Sequence, residues 1–416
     1  MESINLQLIP HTMEDCIYLD HAASTPCLPE VADAMMPFYT QYPGNPGSVV
    51  HRAGKFAANA VKDSRETIAS VLAAAPHEIY FTSGATEAIN MAIKGIALPA
   101  GKGHLITCAT EHSAVLQSCL SLESLGYRLT VLPVDANGCI PPGSLEAAIA
   151  KDTLLVAVMH ANNETGVVHN LQPIGEICNR YGIPLVCDAT QTIGKIPFHP
   201  ADFGIDCCCF AAHKFYGPKG IGALYFNTSG KVNRLLPLID GGAQESGLRS
   251  GTLHVAGIAG MAAALRTLEN KSEAFRIFRE NCAYFENRLA AMQGIILNGS
   301  SVLRVPGITS ASFRYLEGGP LLASLNTRLC VTGGSSCSSG SGKPSHVLTA
   351  MGHGQQQAMA GIRFSPGLHT PLEDIDRALL HIEKCVAQLR EESQTWKMFQ
   401  SGLMKPVPSW FHPQDV

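Results

Sequence analysis

Between Ile79 and Phe226 the chain is punctuated by short apolar runs: Ile79–Thr82, His104–Ala109, Arg128–Pro133, Leu154–His160, Leu185–Asp188, Cys207–Ala211 and Ala223–Phe226. Each has the length of a β-strand, and helical stretches alternate with them. After Leu154–His160, a polar loop beginning at Asn163 gives way to a segment with Ile174, Ile177 and Cys178 on one helical face, and the run Ile183–Val186 follows directly. That is one strand–helix–strand unit with its crossover. The repeated alternation predicts an α/β domain around a mostly parallel sheet.

After Thr252 the rhythm changes. Val255–Met292 reads as a long helical region, Ile308–Phe313 as β-like, and Leu372–Glu392 as a final helix. The expected organisation is a large α/β domain over residues 16–262 and a smaller α+β domain built from 1–15 and 263–395. The segment 396–416 carries Pro and aromatic residues without periodicity and is expected to be an irregular tail. No internal repeat is visible, and 416 residues suffice for this arrangement.

Composition narrows the class. With 46% apolar and 15% charged residues and a formal charge of -4, the chain is neither disordered nor basic, so no direct nucleic-acid partner is expected. No apolar run approaches the roughly 20 residues that span a bilayer, so no membrane partner is expected either. Met1–Pro10 lacks the pattern of a signal peptide, which points to a cytoplasmic protein. The 14 cysteines are scattered, and the triplet Cys207-Cys208-Cys209 would alternate across a strand, so reduced thiols are expected rather than disulfides. No Cys-x-x-Cys pair occurs, and no metal is expected.

Candidate chemistry sits at strand ends. Thr82-Ser83-Gly84-Ala85-Thr86-Glu87 follows one run and opens a helix with Ile89, Ile93 and Ile96 on one face. Small residues at a helix N-terminus suit an anion such as phosphate, although they also suit an ordinary N-cap. Asp188 stands just past another run, with Gln191 three residues on. It either caps the next helix or pairs with a cation, for which a protonated pyridine nitrogen is a candidate. Lys214, in Ala212-His213-Lys214-Phe215-Tyr216-Gly217-Pro218-Lys219-Gly220, follows a third run, and a desolvated lysine there suits a Schiff base with an aldehyde. Together, phosphate site, aspartate and lysine specify pyridoxal 5'-phosphate (PLP). Gly340-Ser341-Gly342-Lys343 is no nucleotide loop, because Pro344 replaces the required hydroxyl residue.

The sequence resembles the cysteine desulfurases, PLP-dependent class V aminotransferase relatives with the aspartate-aminotransferase fold (fold type I). The resemblance is carried by Tyr18–Ala23, Asn45–His51, Thr110-Glu111-His112, His160–Gly166, Arg249–Thr252 and Gly361–Ser365, and extends to the final tail. The run Gly333–Ser339 is similar to the cysteine loop of the family's first group, as is His213–Gly220. The resemblance implies a homodimer that converts L-cysteine to L-alanine and passes the sulfur, as a persulfide on Cys337, to an acceptor protein such as an iron–sulfur scaffold or a thiolation enzyme. By the same resemblance Lys214 holds the cofactor as a Schiff base, Asp188 pairs with its ring nitrogen, Gln191 binds its ring hydroxyl, and His112 stacks on the ring and moves protons. Ala85, Thr86, His213 and the partner's Thr252 would hold the phosphate, and Asn162 and Arg363 the substrate carboxylate. Ala211 stands where the family usually has a serine, which implies one phosphate hydrogen bond fewer. Two rivals are a selenocysteine lyase or other β-eliminating PLP enzyme, and a non-catalytic sulfur-transfer scaffold; the presence of Lys214, Asp188 and Cys337 counts against the second.

Overall fold

The computed structural model describes residues 16–299, 303–334, 343–404 and 407–415. Its strands are β1 Ile17–Tyr18, β2 Ile79–Thr82, β3 His104–Cys108, β4 Arg128–Leu132, β5 Thr153–Ala157, β6 Leu185–Asp188, β7 Cys207–Ala211, β8 Gly222–Phe226, β9 Ile295–Leu297, β10 Thr309–Phe313, β11 Leu329–Cys330, β12 Thr332–Gly333 and β13 Gly361–Phe364. A seven-stranded sheet has the order β2-β8-β7-β6-β5-β3-β4. The pairs from β7 through β4 are parallel, whereas β8 is antiparallel to both β7 and β2. The α/β expectation, with a large mostly parallel sheet, therefore holds.

Helices cover both faces of this sheet, so β3, β6, β7 and β8 are buried on both sides, as inner strands must be, whereas the edge strand β4 is largely exposed. The cysteine triplet shows the alternation directly. Cys208 and Phe210 join one core with Ile79, Phe81 and Ile106, while Cys207 and Cys209 join the opposite core with Leu105, Leu155 and Leu224. Each buried thiol acts there as a small apolar filler.

A second sheet, antiparallel throughout, has the order β12-β13-β10-β9. Its core gathers Phe285, Phe313, Phe364, Ile375, Leu379 and Ile382, together with Ile17 and Leu19 from the N-terminal end of the described chain. β1 is tied to this region through parallel pairing with β11, and Asp20 bridges to Ser365. The N-terminal segment thereby crosses between the two cores, which places Ala22 and Ala23 beside the large sheet.

Two expectations change. The single helical region Val255–Met292 is two helices, Val255–Glu269 and Ser272–Ala290. Ile258, Met261 and Leu265 pack in the large core, and Ala274, Phe275 and Phe278 at the start of the second helix still pack against it. Phe285 and Leu289 at its end join the small core, so the second helix itself carries the chain from one core to the other. The segment expected to be irregular contains the helix Gln394–Gln400, capped by the Ser393 hydroxyl and anchored by buried Trp396, over which Arg390 lies at 3.8 Å. Farther on, Gly354 N–H donates to Phe411 O, and the rings of His353 and His412 meet edge to face at 4.5 Å. A few aromatic anchors hold this segment without the repeat that a sequence period would reveal. No helix among the described residues is long and apolar enough to cross a membrane.

Candidate active site

A cavity of about 600 Å³ opens at the carboxyl ends of β5, β6 and β7, where open α/β sheets place their ligands. One wall is the start of the helix Ala85–Ala97, with Ser83, Gly84, Ala85 and Thr86 facing the cavity. Gly84 is the N-cap and supplies no side chain to the helix, so the first-turn N–H groups are directed at the cavity, a preformed anion cradle. The cradle rests on β8 by close approach. A Cβ at Gly222 would lie 2.6 Å from Gly84 Cα and 2.7 Å from Phe210 O, so glycine is required there. Glu87 accepts from Ser83 N–H at 2.8 Å and from Arg249 Nε at 2.8 Å. Burial works to raise the Glu87 carboxyl pKa, but these hydrogen bonds outweigh it and hold it below the usual range. The arginine thereby ties the Arg249–Thr252 segment to the cradle.

Beyond β3, His112 is the N-cap of the helix Ser113–Glu123. Its Nδ1 accepts from Ala114 N–H at 3.1 Å, which places the neutral ring's proton on Nε2 and turns the ring to the cavity. The adjacent Glu111 points the other way: it is fully buried, and its Oε1 accepts from Met159 N–H at 2.6 Å. Burial pushes its carboxyl well above the usual range, against the opposing pull of the Met159 hydrogen bond.

β6 delivers Asp188, almost fully buried. One carboxylate oxygen accepts from Thr190 N–H at 2.9 Å, and Asp188 enters no ion pair with any described residue. β7 ends in a one-turn 3₁₀ segment, Ala212–Lys214, that swings Lys214 into the cavity, where Nζ donates to Ala22 O and Ala23 O at 2.8 Å each. The chain leaves through Tyr216 at a φ of 67°, a left-handed turn stabilised by donation of its N–H to Thr25 Oγ1. His213 also lines the cavity, and burial beside Lys214 lowers its ring pKa to about 4.

From the small domain, β13 contributes Arg363, which is 1% exposed. Its Nη2 donates to Asp20 Oδ1 at 2.6 Å and its Nη1 to Asn163 O at 2.8 Å. One N–H on each terminal nitrogen is left for a carboxylate.

Ala85, Thr86, His112, Asp188, Gln191, His213, Lys214 and Arg363 therefore meet in one cavity. Asn162 does not. Its Nδ2 donates to Thr110 O, and its Oδ1 accepts from Glu164 N–H, Thr165 N–H and Thr165 Oγ1, so its amide shapes the turn, and Asn163 lines the cavity instead. Thr252 also stays out of this chain's own cavity wall. Cys337 lies outside the described residues. The preceding strand β12 pairs Thr332 with Arg363, which sets the base of the Cys337 segment beside the cavity. His160 is structural: it is buried against Phe198 and Phe203, hydrogen-bonded to Thr192, and neutral, with its pKa lowered to about 4 by burial. Sequence reasoning missed the carbonyls of Ala22 and Ala23, Asp20 as the arginine's partner, and Thr190. Only the Asp20–Ala23 stretch carried a signal, as part of the resemblance.

Residues 17–378 match the Aminotransferase class-V family. The chain is 42% identical over 401 residues to cysteine desulfurase IscS of Anaeromyxobacter sp. (strain Fw109-5), covering 95% of this chain and 99% of that protein. A solved NifS-like protein superposes with a TM-score of 0.83 at 34% identity, covering 90% of this chain and all of the other. SspA, solved in complex with cysteine, superposes with a TM-score of 0.75 at 36% identity over 84% of this chain and 98% of its own.

Proposed function

The chain belongs to the class-V aminotransferases and is a PLP-dependent cysteine desulfurase, and from that premise we propose how its own residues carry the reaction. The observation that carries the reading is the charge pattern of the cavity: an uncapped helix N-terminus at one end, buried Asp188 without a cationic partner between, and Lys214 close by. A phosphorylated pyridine aldehyde matches that pattern group for group. Buried Thr190 Oγ1 and Arg363 Nε, each without a hydrogen-bond partner, mark further polar surface at the same cavity. PLP fits these residues.

We propose that Ser83–Thr86 and His213 hold the phosphate, Asp188 the ring nitrogen, Gln191 the ring hydroxyl, and Lys214 the aldehyde carbon. PLP when bound supplies an electron sink that labilises the bonds of the substrate's α-carbon. Arg363, oriented by Asp20, grips the carboxylate of L-cysteine, with Asn163 beside it. His112 moves protons through Nε2 because Nδ1 is committed to the helix cap. The Cys337 thiolate attacks the sulfur of L-cysteine: the carbon–sulfur bond breaks, a sulfur–sulfur bond forms, and a proton replaces sulfur on the carbon skeleton. L-Alanine leaves, and the persulfide carries the sulfur onward to an acceptor protein.

The partner chain's Thr252 is proposed to complete the phosphate site in a homodimer. Thr252 stays out of its own chain's cavity although Arg249, on the same segment, is anchored at the cradle. A reducing compartment such as the cytoplasm suits the free thiols of the described residues. The test is addition of PLP to wild type and Lys214→Ala, with L-cysteine as substrate. Wild type turns yellow and forms alanine, whereas the variant does neither; a variant that keeps both the absorbance and the activity overturns the assignment of Lys214.

A further inference from the structure

A second lysine stands behind the first. Lys195 follows Gln191 by one turn of chain, and Gly194, at a φ of 78°, reverses the backbone so that Lys195 folds back over it. A Cβ at Gly194 would lie 2.5 Å from the Cβ of Phe215, the residue next to Lys214, so this reversal packs directly against the Lys214 turn. Lys195 and Lys214 line one small cavity of about 20 Å³ together with Ala22. The contacts form a chain: Lys195 Nζ donates to Gln191 Oε1, Gln191 Nε2 donates to Ala22 O at 2.8 Å, and Lys214 Nζ donates to the same carbonyl at 2.8 Å.

We propose that Lys195 is a positioning residue of the desulfurase reaction, fixing the Gln191 amide so that its NH₂ edge, and not its oxygen, faces the ring oxygen of the bound cofactor. The inference rests on the reading that PLP occupies the cavity with Gln191 against its ring. While protonated, the Lys195 ammonium donates and cannot accept, so its contact with Oε1 forbids the reversed amide, and Ala22 O, which can only accept, holds the Nε2 edge at the other end. Nε2 has two hydrogens. One is taken by Ala22 O, and the other remains for the cavity that Gln191 lines. A donor at that place stabilises an anionic ring oxygen, whereas an amide oxygen would repel it.

The placement is electrostatically costly, which a filler would avoid. Burial, with help from Lys214 and Arg363, lowers the Lys195 pKa to about 7. His21, whose pKa is lowered to about 4 mainly by burial, and His213 face the same charge from the N-terminal segment and the Lys214 turn. On the outer side His199, Glu269 and Arg279 line the groove that reaches Lys195.

The experiment follows the visible absorbance of PLP-loaded protein against pH for wild type, Lys195→Met, Lys195→Arg, Gln191→Met and the Lys195→Met/Gln191→Met double variant. A donor to the anionic oxygen favours loss of the cofactor's proton, so removing it raises the midpoint. The expected rise is about one pH unit in each single Met variant, the size of one hydrogen bond to a charged group. The double variant is expected to match Gln191→Met, and Lys195→Arg to match wild type, because Lys195 acts through the amide. A Lys195→Met midpoint equal to wild type, or a double variant shifted by the sum of the singles, overturns the inference and leaves Lys195 inert or acting by charge alone. Wild type that develops no visible band with PLP overturns instead the cofactor reading on which the inference stands.

Discussion

Replacing Gly222 by alanine tests whether the Ser83–Thr86 turn is the phosphate cradle. The added methyl would sit 2.6 Å from Gly84 Cα, 2.6 Å from Gly84 C and 2.7 Å from Phe210 O, all of them backbone atoms with no rotamer to change. Ordinary contact begins near 3.4 Å, so either the Gly84 turn or the β7 backbone must retreat by roughly 0.8 Å. β7 is held on both sides by β6 and β8, whereas Gly84 sits at a strand-to-helix turn, so the turn is the part that yields. Overpacking of this kind costs about 1–3 kcal/mol. Much of that falls on the geometry of the N–H groups at Ala85 and Thr86, which corresponds to roughly a 5- to 100-fold loss of PLP affinity. The assay is titration of apo-protein with PLP, followed by absorbance, alongside a thermal melt. Unchanged PLP affinity would refute the reasoning, even with a lowered melting temperature, because the strain would then have been absorbed away from any phosphate.

Two further predictions concern neighbouring asparagines and buried histidines. Asn162→Ala removes an amide that organises the turn, so it lowers stability by about 2–4 kcal/mol in denaturant titrations; Asn163→Ala changes KM for L-cysteine and leaves stability close to wild type, and the reverse pattern would contradict the assignment. His160, His169 and His412 have pKa values lowered to about 4, and His353 to about 3, chiefly by burial. Below about pH 6.5 the unfolded chain binds protons that the folded chain refuses, so stability is full above that value and falls toward pH 4, by up to about 1.4 kcal/mol per pH unit for each group. Urea midpoints at pH 7.5 and 5.5 measure the fall; a His412→Gln variant should show a smaller one, and an equal fall in the variant would remove His412 from the account.

The large sheet was legible because its inner strands are buried on both faces and its helices mainly on one. Two different hydrophobic periods then alternate along the chain, and the run ends mark where ligands bind. Asp188 and Lys214 could be read in this way, each being a charged residue at the end of an apolar strand. The break at Asn270–Lys271 was not legible, because both helices are apolar on one face and no Pro or Gly marks the two residues between them. The tail was misread for a related reason: Trp396, His412 and the carbonyl of Phe411 are single anchors, and single anchors leave no period. Asn162 and Asn163 are adjacent and chemically alike, so only the closed turn decides which one faces the cavity. Lys195 carried no signal because its role depends on a chain reversal at Gly194.

The most direct test of the central claim is mass spectrometry of the Cys337 peptide after PLP-loaded protein has met L-cysteine without reductant. The account predicts one added sulfur atom on Cys337, formed in step with alanine, and neither product in a Cys337→Ser variant given a single turnover. Alanine formation with Cys337 unmodified, or undiminished alanine from the serine variant, would contradict it.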